Sequence, residues 1–263
     1  RIAVGDAQTA GGPDFSYRLG VGPPCPDFDL RVMPSGINGQ PGANVPVTVR
    51  ALRKDGFRGE IRLECGTPGF ALSGGVIPAG ADFVTATLLF PSKPEKSLHD
   101  LTITGSADIG GKPVTRAAMG ADDMLQAFIY HHIVPTGELL AFIPPDSKPR
   151  PRLAAAPASV KFLDGAPAAI KATAPKHVIE GLKAALVNPP EGITVADVKP
   201  SEGGVEIALA ADPAKTKAAA GNLLIELIAN QPRKEDPTKT NSWSLGHLPA
   251  IAFQVENSAK PKP

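Results

Sequence analysis

Apolar and polar residues alternate along much of the chain with the two-residue period of β-strands that bury one face. The positions that this alternation predicts to face inward in the first half are Phe28, Leu30, Val32, Val45, Val47, Val49, Ile61, Leu63 and Cys65. Proline and glycine turn signals separate these segments, and long helical periodicities are missing. The pattern therefore predicts short strands joined by turns.

The middle of the chain recurs imperfectly about 122 residues later, since the run from Gly59 to Ala107 resembles the run from Gly181 to Ala229. In each copy a strand rich in Val, Ile and Leu leads into a proline-glycine turn, a short strand and a polar turn. The alignment pairs Phe83–Phe90 with Val205–Asp212, Leu101 with Leu223, and Ile103 with Ile225. Two copies of one all-β unit indicate a tandem module protein.

Composition supports this prediction and limits the function classes. The 263 residues suffice for two domains with cores of their own, and 29 Pro and 27 Gly favour β-sandwiches over helical folds. The net charge is +1 and basic blocks are missing, which argues against nucleic acid as a partner. No apolar run has the roughly 18–20 residues that a transmembrane helix requires.

We expect an all-β chain of two tandem immunoglobulin-like sandwiches, preceded by a β-hairpin. The predicted units are residues 1–24, the terminal hairpin; 25–143, the first sandwich; 144–158, a Pro-rich linker; 159–256, the second sandwich; and 257–263, a flexible tail. The segment from Asp122 to Val134 is ambiguous. An aspartate at its start suits a helix cap, whereas its β-branched and aromatic end before Pro135 favours a strand.

The segments PDFSYRL and PDFDLRV, followed by NVPVTVRALRKDGFRGEIRLE and PGFALSGGVIPAG, resemble secreted bacterial proteins of planctomycete type. In those proteins a pre-peptidase C-terminal (PPC) jelly-roll domain precedes immunoglobulin-like domains. The resemblance covers most of residues 1–143 and the closing strand LGHLPAIAFQVE. It implies that residues 1–24 end a PPC-like domain, and that the chain is exported to the periplasm, cell surface or medium. It transfers no functional residues.

Candidate metal ligands do not converge in the sequence. The adjacent His131 and His132 would point to opposite faces of a strand, and the other three histidines, His99, His177 and His247, are scattered. Asp6, Asp14, Asp122 and Asp123 lack the spacing of a calcium loop. We therefore expect no metal and no cofactor.

Two cysteines are too few for a disulfide scaffold. Cys25 precedes the first strand of its module and Cys65 ends the third, so we expect them at opposite ends of the sandwich; this favours free thiols, and a disulfide is the alternative that the sequence leaves open. The sequence contains no nucleophile elbow and no H-E-x-x-H motif. We predict no catalytic residues, and we expect the sole tryptophan, Trp243, to cover the rim of the second core.

These observations favour a non-catalytic structural or interaction module of an exported bacterial protein. It would act as a spacer or a protein-binding part of a cell-envelope or extracellular assembly. The expected partner is a protein or an upstream part of the same polypeptide. Two alternatives stay open: the non-catalytic C-terminal region of a secreted hydrolase, and a carbohydrate-binding module. The latter requires exposed aromatic side chains, for which Trp243, Tyr130 and Phe128 are the candidates.

Overall fold

The computed structural model describes residues 20–126, 129–217, 219–233 and 238–256, together with positions 5, 11–13 and 16. The predicted tail at 257–263, and most of the predicted hairpin at 1–24, lie outside the described residues. The first half contains β1 Asp27–Met33, β2 Gly36–Asn38, β3 Asn44–Lys54, β4 Ile61–Cys65, β5 Ala71–Ser73, β6 Val76–Ile77, β7 Phe83–Leu89, β8 Leu98–Asp100, β9 Ile103–Ile109, β10 Lys112–Gln126, β11 Tyr130–Pro135 and β12 Leu140–Phe142.

The second half is built in the same way, with one short 3-10 helix at Lys176–Gly181 among its described residues. Its strands are β13 Ala155–Ala156, β14 Ser159–Leu163, β15 Ala168–Thr173, β16 Leu182–Val187, β17 Ile193–Ser201, β18 Gly204–Ala211, β19 Ala219–Pro232, β20 Thr240–His247 and β21 Ile251–Glu256.

In the first half, the strand order β5-β7-β3-β1 continues through β10-β9-β4-β6. Strand β1 connects the two groups, because it pairs antiparallel with β3 and parallel with β10. Inward side chains from both groups form one core cluster that runs from Phe28 to Ile143. The result is a β-sandwich, and a small sheet of order β2-β12-β8 accompanies it.

The second half has two separate sheets, β13-β15-β18-β17 and β14-β21-β19-β16, with β20 also paired to β19. Their inward residues form a second core cluster from Leu153 to Val255. In the letters used for immunoglobulin strands, β1-β3-β7-β5 and β13-β15-β18-β17 both have the order A-B-E-D, and β10-β9-β4 and β21-β19-β16 both have the order G-F-C. Both halves therefore have the immunoglobulin arrangement. The predicted fold class, all-β with two tandem immunoglobulin-like sandwiches, is confirmed.

The boundaries of the units stay a prediction. Leu153, inside the predicted linker 144–158, is 4% exposed and belongs to the second core cluster. Residues Ala155–Ala156 form the short edge strand β13, which pairs with β15. A Pro-rich segment tolerates such an edge position because an edge strand leaves one side of its backbone unpaired.

Within the ambiguous segment at 122–134, residues 122–126 and 130–134 form strands, and Ile129 lies between the two strands. Strand β10 continues to Gln126, and β11 begins at Tyr130 and pairs antiparallel with it. The predicted alternation is also confirmed, since Phe28, Leu30 and Val32 are fully buried. The side chains of β-branched and aromatic residues outweigh the helix cap that an aspartate would provide.

The alignment of the two repeats is correct in one strand and wrong by one residue in another. Ile103 and Ile225 are both inward and buried. Phe83 is 53% exposed, however, whereas its aligned partner Val205 is fully buried. A slip of one residue moves a side chain to the other face of its strand. The pairing of Phe83–Phe90 with Val205–Asp212 is therefore out of phase.

Candidate interaction surfaces

The two sandwiches contact each other through polar side chains rather than only through apolar packing. The side-chain amide of Asn222, on β19, donates to the backbone oxygens of Gly74 at 2.7 Å and Thr85 at 2.9 Å. The backbone N–H of Ala250 donates to the hydroxyl oxygen of Thr87 at 2.8 Å. Thr87 is fully buried although it lies on the outward face of β7. Its burial follows from the second sandwich covering that face.

A second group of hydrogen bonds lies at the start of β3. The amide of Asn44, which is 5% exposed, donates to the backbone oxygens of His247 at 3.0 Å and Leu153 at 3.3 Å. The guanidinium of Arg150 donates to the backbone oxygen of Ser244 at 3.1 Å. A shallow cleft of about 250 Å³ lies beside these bonds. The bonds of Asn44 and Asn222 thus join the first sandwich to residues of the second, and the bond of Arg150 joins the intervening segment to β20.

The interface also depends on a residue without a side chain. Gly74 has a φ of 73°, in the left-handed region that glycine adopts most easily. A Cβ atom at Gly74 would overlap the amide nitrogen of Asn222 and lie 2.9 Å from the Cβ of Ala250. The close approach of the sandwiches therefore requires glycine at this position.

The β10–β11 hairpin presents apolar side chains to solvent. Those that are 40% exposed or more are Met124, Leu125, Ile129, Tyr130 and Val134. Among the described strands β11 pairs with β10 alone, so none of them covers its other edge. Ser35 holds the base of the hairpin, because its N–H and hydroxyl both donate to the carboxylate of Asp122 at 2.9–3.0 Å.

The histidines and acidic residues do not form a metal site in the described part of the chain, where no group of three potential ligands occurs. His131 pairs with Asp123 at 2.9 Å between Nδ1 and Oδ1. His132 lies opposite Met124 in the hairpin register. Asp6 and Asp14 lie outside the described residues.

The remaining histidines lie on three different elements. The Nε2 atom of His99 lies 2.8 Å from the backbone oxygen of Lys96. His177 lies in the 3-10 helix at Lys176–Gly181. His247 borders the cleft between the sandwiches, and burial lowers the pKa of its imidazole while nearby Glu226 acts to raise it.

The two cysteines are free thiols. The N–H of Cys25 donates to the Asp55 carboxylate in the turn after β3, and Cys65 ends β4, the next long strand. This separation agrees with the expected placement at opposite ends. Burial raises the pKa of the Cys65 thiol, although hydrogen bonds involving Thr67 act to lower it. A raised pKa lowers thiolate content and hence reactivity.

Two of the three aromatic candidates for sugar binding are accessible. Tyr130 is 69% exposed and Trp243 is 37% exposed, while Phe128 lies outside the described residues. Trp243 lies on β20 opposite Ala229, and Tyr130 lies on β11 of the other sandwich. The two rings are thus on different modules and do not belong to one strand pair.

No helix among the described residues is long and apolar enough to span a membrane. No protein-family model matches the chain, and no curated protein sequence matches it. The resemblance to PPC domains of planctomycete proteins therefore stays a prediction. Among solved structures, the chain is similar to the D0-D1 domain of Intimin. The identity is 11% and the TM-score 0.27, over 86% of this chain and 97% of that one.

Proposed function

We propose that the chain is a non-catalytic display module. Its two sandwiches are held as one rigid body that presents the β10–β11 hairpin to a protein partner. The single observation that carries this proposal is the polar interface made by Asn44, Thr87 and Asn222. A freely jointed pair of domains has no need for buried polar side chains that bond across the joint.

The energetic argument rests on what separation of the sandwiches would cost. Asn44 and Thr87 are buried at the interface, and each makes a hydrogen bond to the backbone of the second sandwich. A partly opened interface would leave some of these groups away from water without a partner, at about 1–3 kcal/mol each. Directional bonds of this kind therefore favour one relative orientation over many.

A rigid body improves binding because less conformational freedom is lost when the partner docks. The edge of β11 that no described strand covers presents N–H and C=O groups, to which an extended segment of a partner can add as a further strand. Tyr130 and Ile129, which are 69% and 87% exposed, supply apolar contact area beside that edge. Protein binding by strand addition is the mode that this surface supports best.

The proposed setting is an exported bacterial protein that works in the cell envelope or in an extracellular assembly. This part of the proposal is supported by the resemblance of residues 1–143 to secreted proteins with PPC and immunoglobulin-like domains. The same body would also suit the non-catalytic C-terminal region of a secreted hydrolase. In either setting the module positions a partner and carries out no chemistry.

Scanning calorimetry of the native protein, Asn222→Ala and Asn230→Ala tests the rigid body. Asn222 bonds two backbone oxygens across the interface, whereas Asn230, on the same strand, bonds Gly181 and Ile228 inside the second sandwich. We expect one cooperative transition for the native protein and for Asn230→Ala. Asn222→Ala should lose about 2 kcal/mol of stability and separate into two transitions.

Two independent transitions in the native protein would contradict the rigid body. The same transition profile for both asparagine variants would show that the bonds of Asn222 do not couple the sandwiches. Asn230→Ala is a close control because it removes the same amide group from the same strand without touching the interface.

Polysaccharide binding is the second candidate function, and the exposure of Trp243 and Tyr130 favours it. Aromatic rings bind sugars through their apolar faces. Affinity electrophoresis in gels that contain soluble polysaccharides tests it with Trp243→Ala and Tyr130→Ala. Retardation that either variant abolishes would support this function, and unchanged mobility of the native protein in every gel would exclude it for those polysaccharides.

A further inference from the structure

Four side chains form one row across the outward face of the first sandwich, on neighbouring strands of the order β7-β3-β1-β10. They are Phe83, Arg50, Arg31 and Met119, and each is the register partner of the next. We call them the arginine row. Adjacent strands are about 4.8 Å apart, so the row spans about 14 Å. Phe83 is 53% exposed and Met119 is 46% exposed, so apolar groups flank the two cations at both ends.

The two guanidinium groups lack a counter-charge in the described part of the chain. Neither Arg31 nor Arg50 takes part in an ion pair there. Asp29 lies on the same face as Arg31, but Lys54 holds its carboxylate at 2.7 Å. The Nε atom of Arg50 is buried and has no hydrogen-bond partner among the described residues, and its guanidinium carbon lies 5.6 Å from the centre of the Phe83 ring.

This arrangement costs stability. Like charges directly opposite each other on neighbouring strands are destabilising, and a buried donor without a partner adds to that cost. Arg53, on the same strand as Arg50, shows how the fold satisfies an arginine that it uses structurally. Its guanidinium donates to three backbone oxygens, those of Ala81, Gly59 and Pro78, at 2.7–3.2 Å.

The corresponding sheet of the second sandwich provides an internal comparison. Lys171 on β15 lies opposite Glu206 on β18, which in turn lies opposite Lys199 on β17. Positive and negative charges therefore alternate across that face, and opposite-charge cross-strand pairs are stabilising. The second sandwich therefore places a carboxylate between two cations on this face, whereas the first sandwich places its two arginines directly opposite each other.

We infer that the arginine row binds an extended, acidic protein segment. This deepens the proposed function, because it adds the class of partner and a second docking surface beside the β10–β11 hairpin. A carboxylate bridging Arg31 and Arg50 supplies the missing counter-charge through charge-assisted hydrogen bonds. Apolar side chains of the segment lie on Phe83 and Met119.

The dimensions of the row specify the segment further. Alternate side chains of an extended peptide repeat about every 6.8 Å. A peptide that crosses the strands with an apolar residue on Phe83 places its next same-side residue near the midpoint of Arg31 and Arg50. The following one reaches Met119 at about 14 Å. The sequence that fits is apolar-x-acidic-x-apolar, and these flanking apolar contacts favour a peptide over a sulfated polysaccharide.

The row also lies next to the interface between the sandwiches. Thr85 is two residues along β7 from Phe83, and its backbone oxygen accepts the hydrogen bond from Asn222 of the second sandwich. In a rigid interface, the second sandwich therefore keeps a fixed position beside the Phe83 end of the arginine row. A segment bound to the row lies beside the second sandwich rather than on an isolated domain.

The test uses the fluorescein-labelled peptide Ser-Gly-Leu-Thr-Glu-Thr-Leu-Gly-Ser and a matched peptide with Gln in place of Glu. Fluorescence anisotropy with the full chain should show binding of the Glu peptide, weakened about tenfold by the Gln replacement. Arg31→Ala and Arg50→Ala should each weaken binding about tenfold. Lys171→Ala, the matched control in the second sandwich, should bind as the native protein does. Arg50→Lys keeps the positive charge but lacks the planar guanidinium group, so its affinity for the Glu peptide should lie between those of the native protein and Arg50→Ala.

A ¹H–¹⁵N spectrum of the native protein gives a direct second readout, because the Nε–H signals of Arg31 and Arg50 should shift on titration with the Glu peptide. Equal affinity for the Glu and Gln peptides, or native affinity in both alanine variants, would overturn the inference. So would a sulfated hexasaccharide that binds more tightly than the peptide. Calorimetry separates the failure of this inference from the failure of the rigid-body proposal. If only the acidic-segment site is wrong, the native protein should still unfold in a single cooperative transition.

Discussion

The outward faces of the corresponding sheets in the two sandwiches differ in how their charged side chains are arranged. In the second sandwich Lys171, Glu206 and Lys199 alternate in sign across three neighbouring strands. In the first, Arg31 and Arg50 are register partners, and neither forms an ion pair with a described residue. The strand order is the same, so the difference is not a requirement of the fold. One face places a carboxylate between its cations, whereas the other sets two guanidinium groups side by side, which is the basis of the proposed acidic-segment site.

A second difference lies in how much of each face is covered. The second sandwich packs on the outward face of β7 at Thr87, and Asn222 bonds the same strand at Thr85. The arginine row begins two residues further along β7, at Phe83, which is 53% exposed. The first sandwich therefore has one face divided into a covered part and an open part. The substitutions below disturb these regions in order of expected effect.

The largest effect is expected from Gly74→Ala at the covered part. Its φ of 73° and the overlap with Asn222 should together cost about 3 kcal/mol in the free energy of unfolding. Gly80→Ala is the matched control, because Gly80 has a φ of 77° and no heavy atom within 4 Å of its Cβ position. It should cost about 1 kcal/mol. Urea unfolding measures both, and equal losses would show that the interface tolerates a side chain at Gly74.

Glu206→Lys should break the charge alternation of the second sandwich. It places a third cation between Lys171 and Lys199, and we expect a loss of about 1 kcal/mol at low salt. Glu202→Lys, in an exposed turn, should change stability little. Urea unfolding at low and high salt measures this difference. A loss in Glu206→Lys that salt does not reduce would show that charge is not its cause.

Charge reversal at matched cations should have opposite signs in the two sandwiches. Arg31→Glu places a carboxylate opposite Arg50 and should stabilise the protein by about 0.5 kcal/mol, whereas Lys171→Glu opposes Glu206 and should destabilise it by a similar amount. The change in thermal midpoint at low salt measures both. Destabilisation by both variants would indicate that Arg31 contributes packing that its charge does not explain.

The smallest effect is expected from acidification. Burial lowers the folded-state pKa of His247, so the unfolded chain binds more protons once the pH falls below the ordinary histidine value of about 6.5. Stability is therefore lost as the pH falls through that value towards the lower folded pKa. His247→Gln should reduce the loss between about pH 7.5 and pH 5.5, measured by urea unfolding at both pH values. His132→Gln, at an exposed position, should retain it; equal behaviour of the two variants would contradict the effect of burial.

The fold class was predictable because alternation and turn chemistry are local properties of the chain. Phe28, Leu30 and Val32 are buried as the two-residue period requires. The repeat alignment was correct at Ile103 and Ile225 but failed between Phe83 and Val205. An alignment with constant spacing misses a turn that is one residue longer or shorter in one copy. In a strand, a shift of one residue moves each aligned side chain to the opposite face.

The polar interface and the arginine row were not predicted, because both depend on register between distant parts of the chain. Arg31 and Arg50 are 19 positions apart, and their adjacency follows only from the pairing of β1 with β3. Asn222 bonds Gly74 across 148 positions. The expectation that Trp243 covers the rim of the second core agrees only in part with its exposure of 37%.

The most direct test of the central claim, that the two sandwiches form one rigid body, is a measurement of backbone N–H residual dipolar couplings in a weakly aligned sample. If Asn44, Thr87 and Asn222 hold the sandwiches in one orientation, couplings from residues 27–143 and 153–256 should fit a single alignment tensor with the geometry described above. Separate tensors of different magnitude for the two halves would mean that they move independently, and would contradict the account.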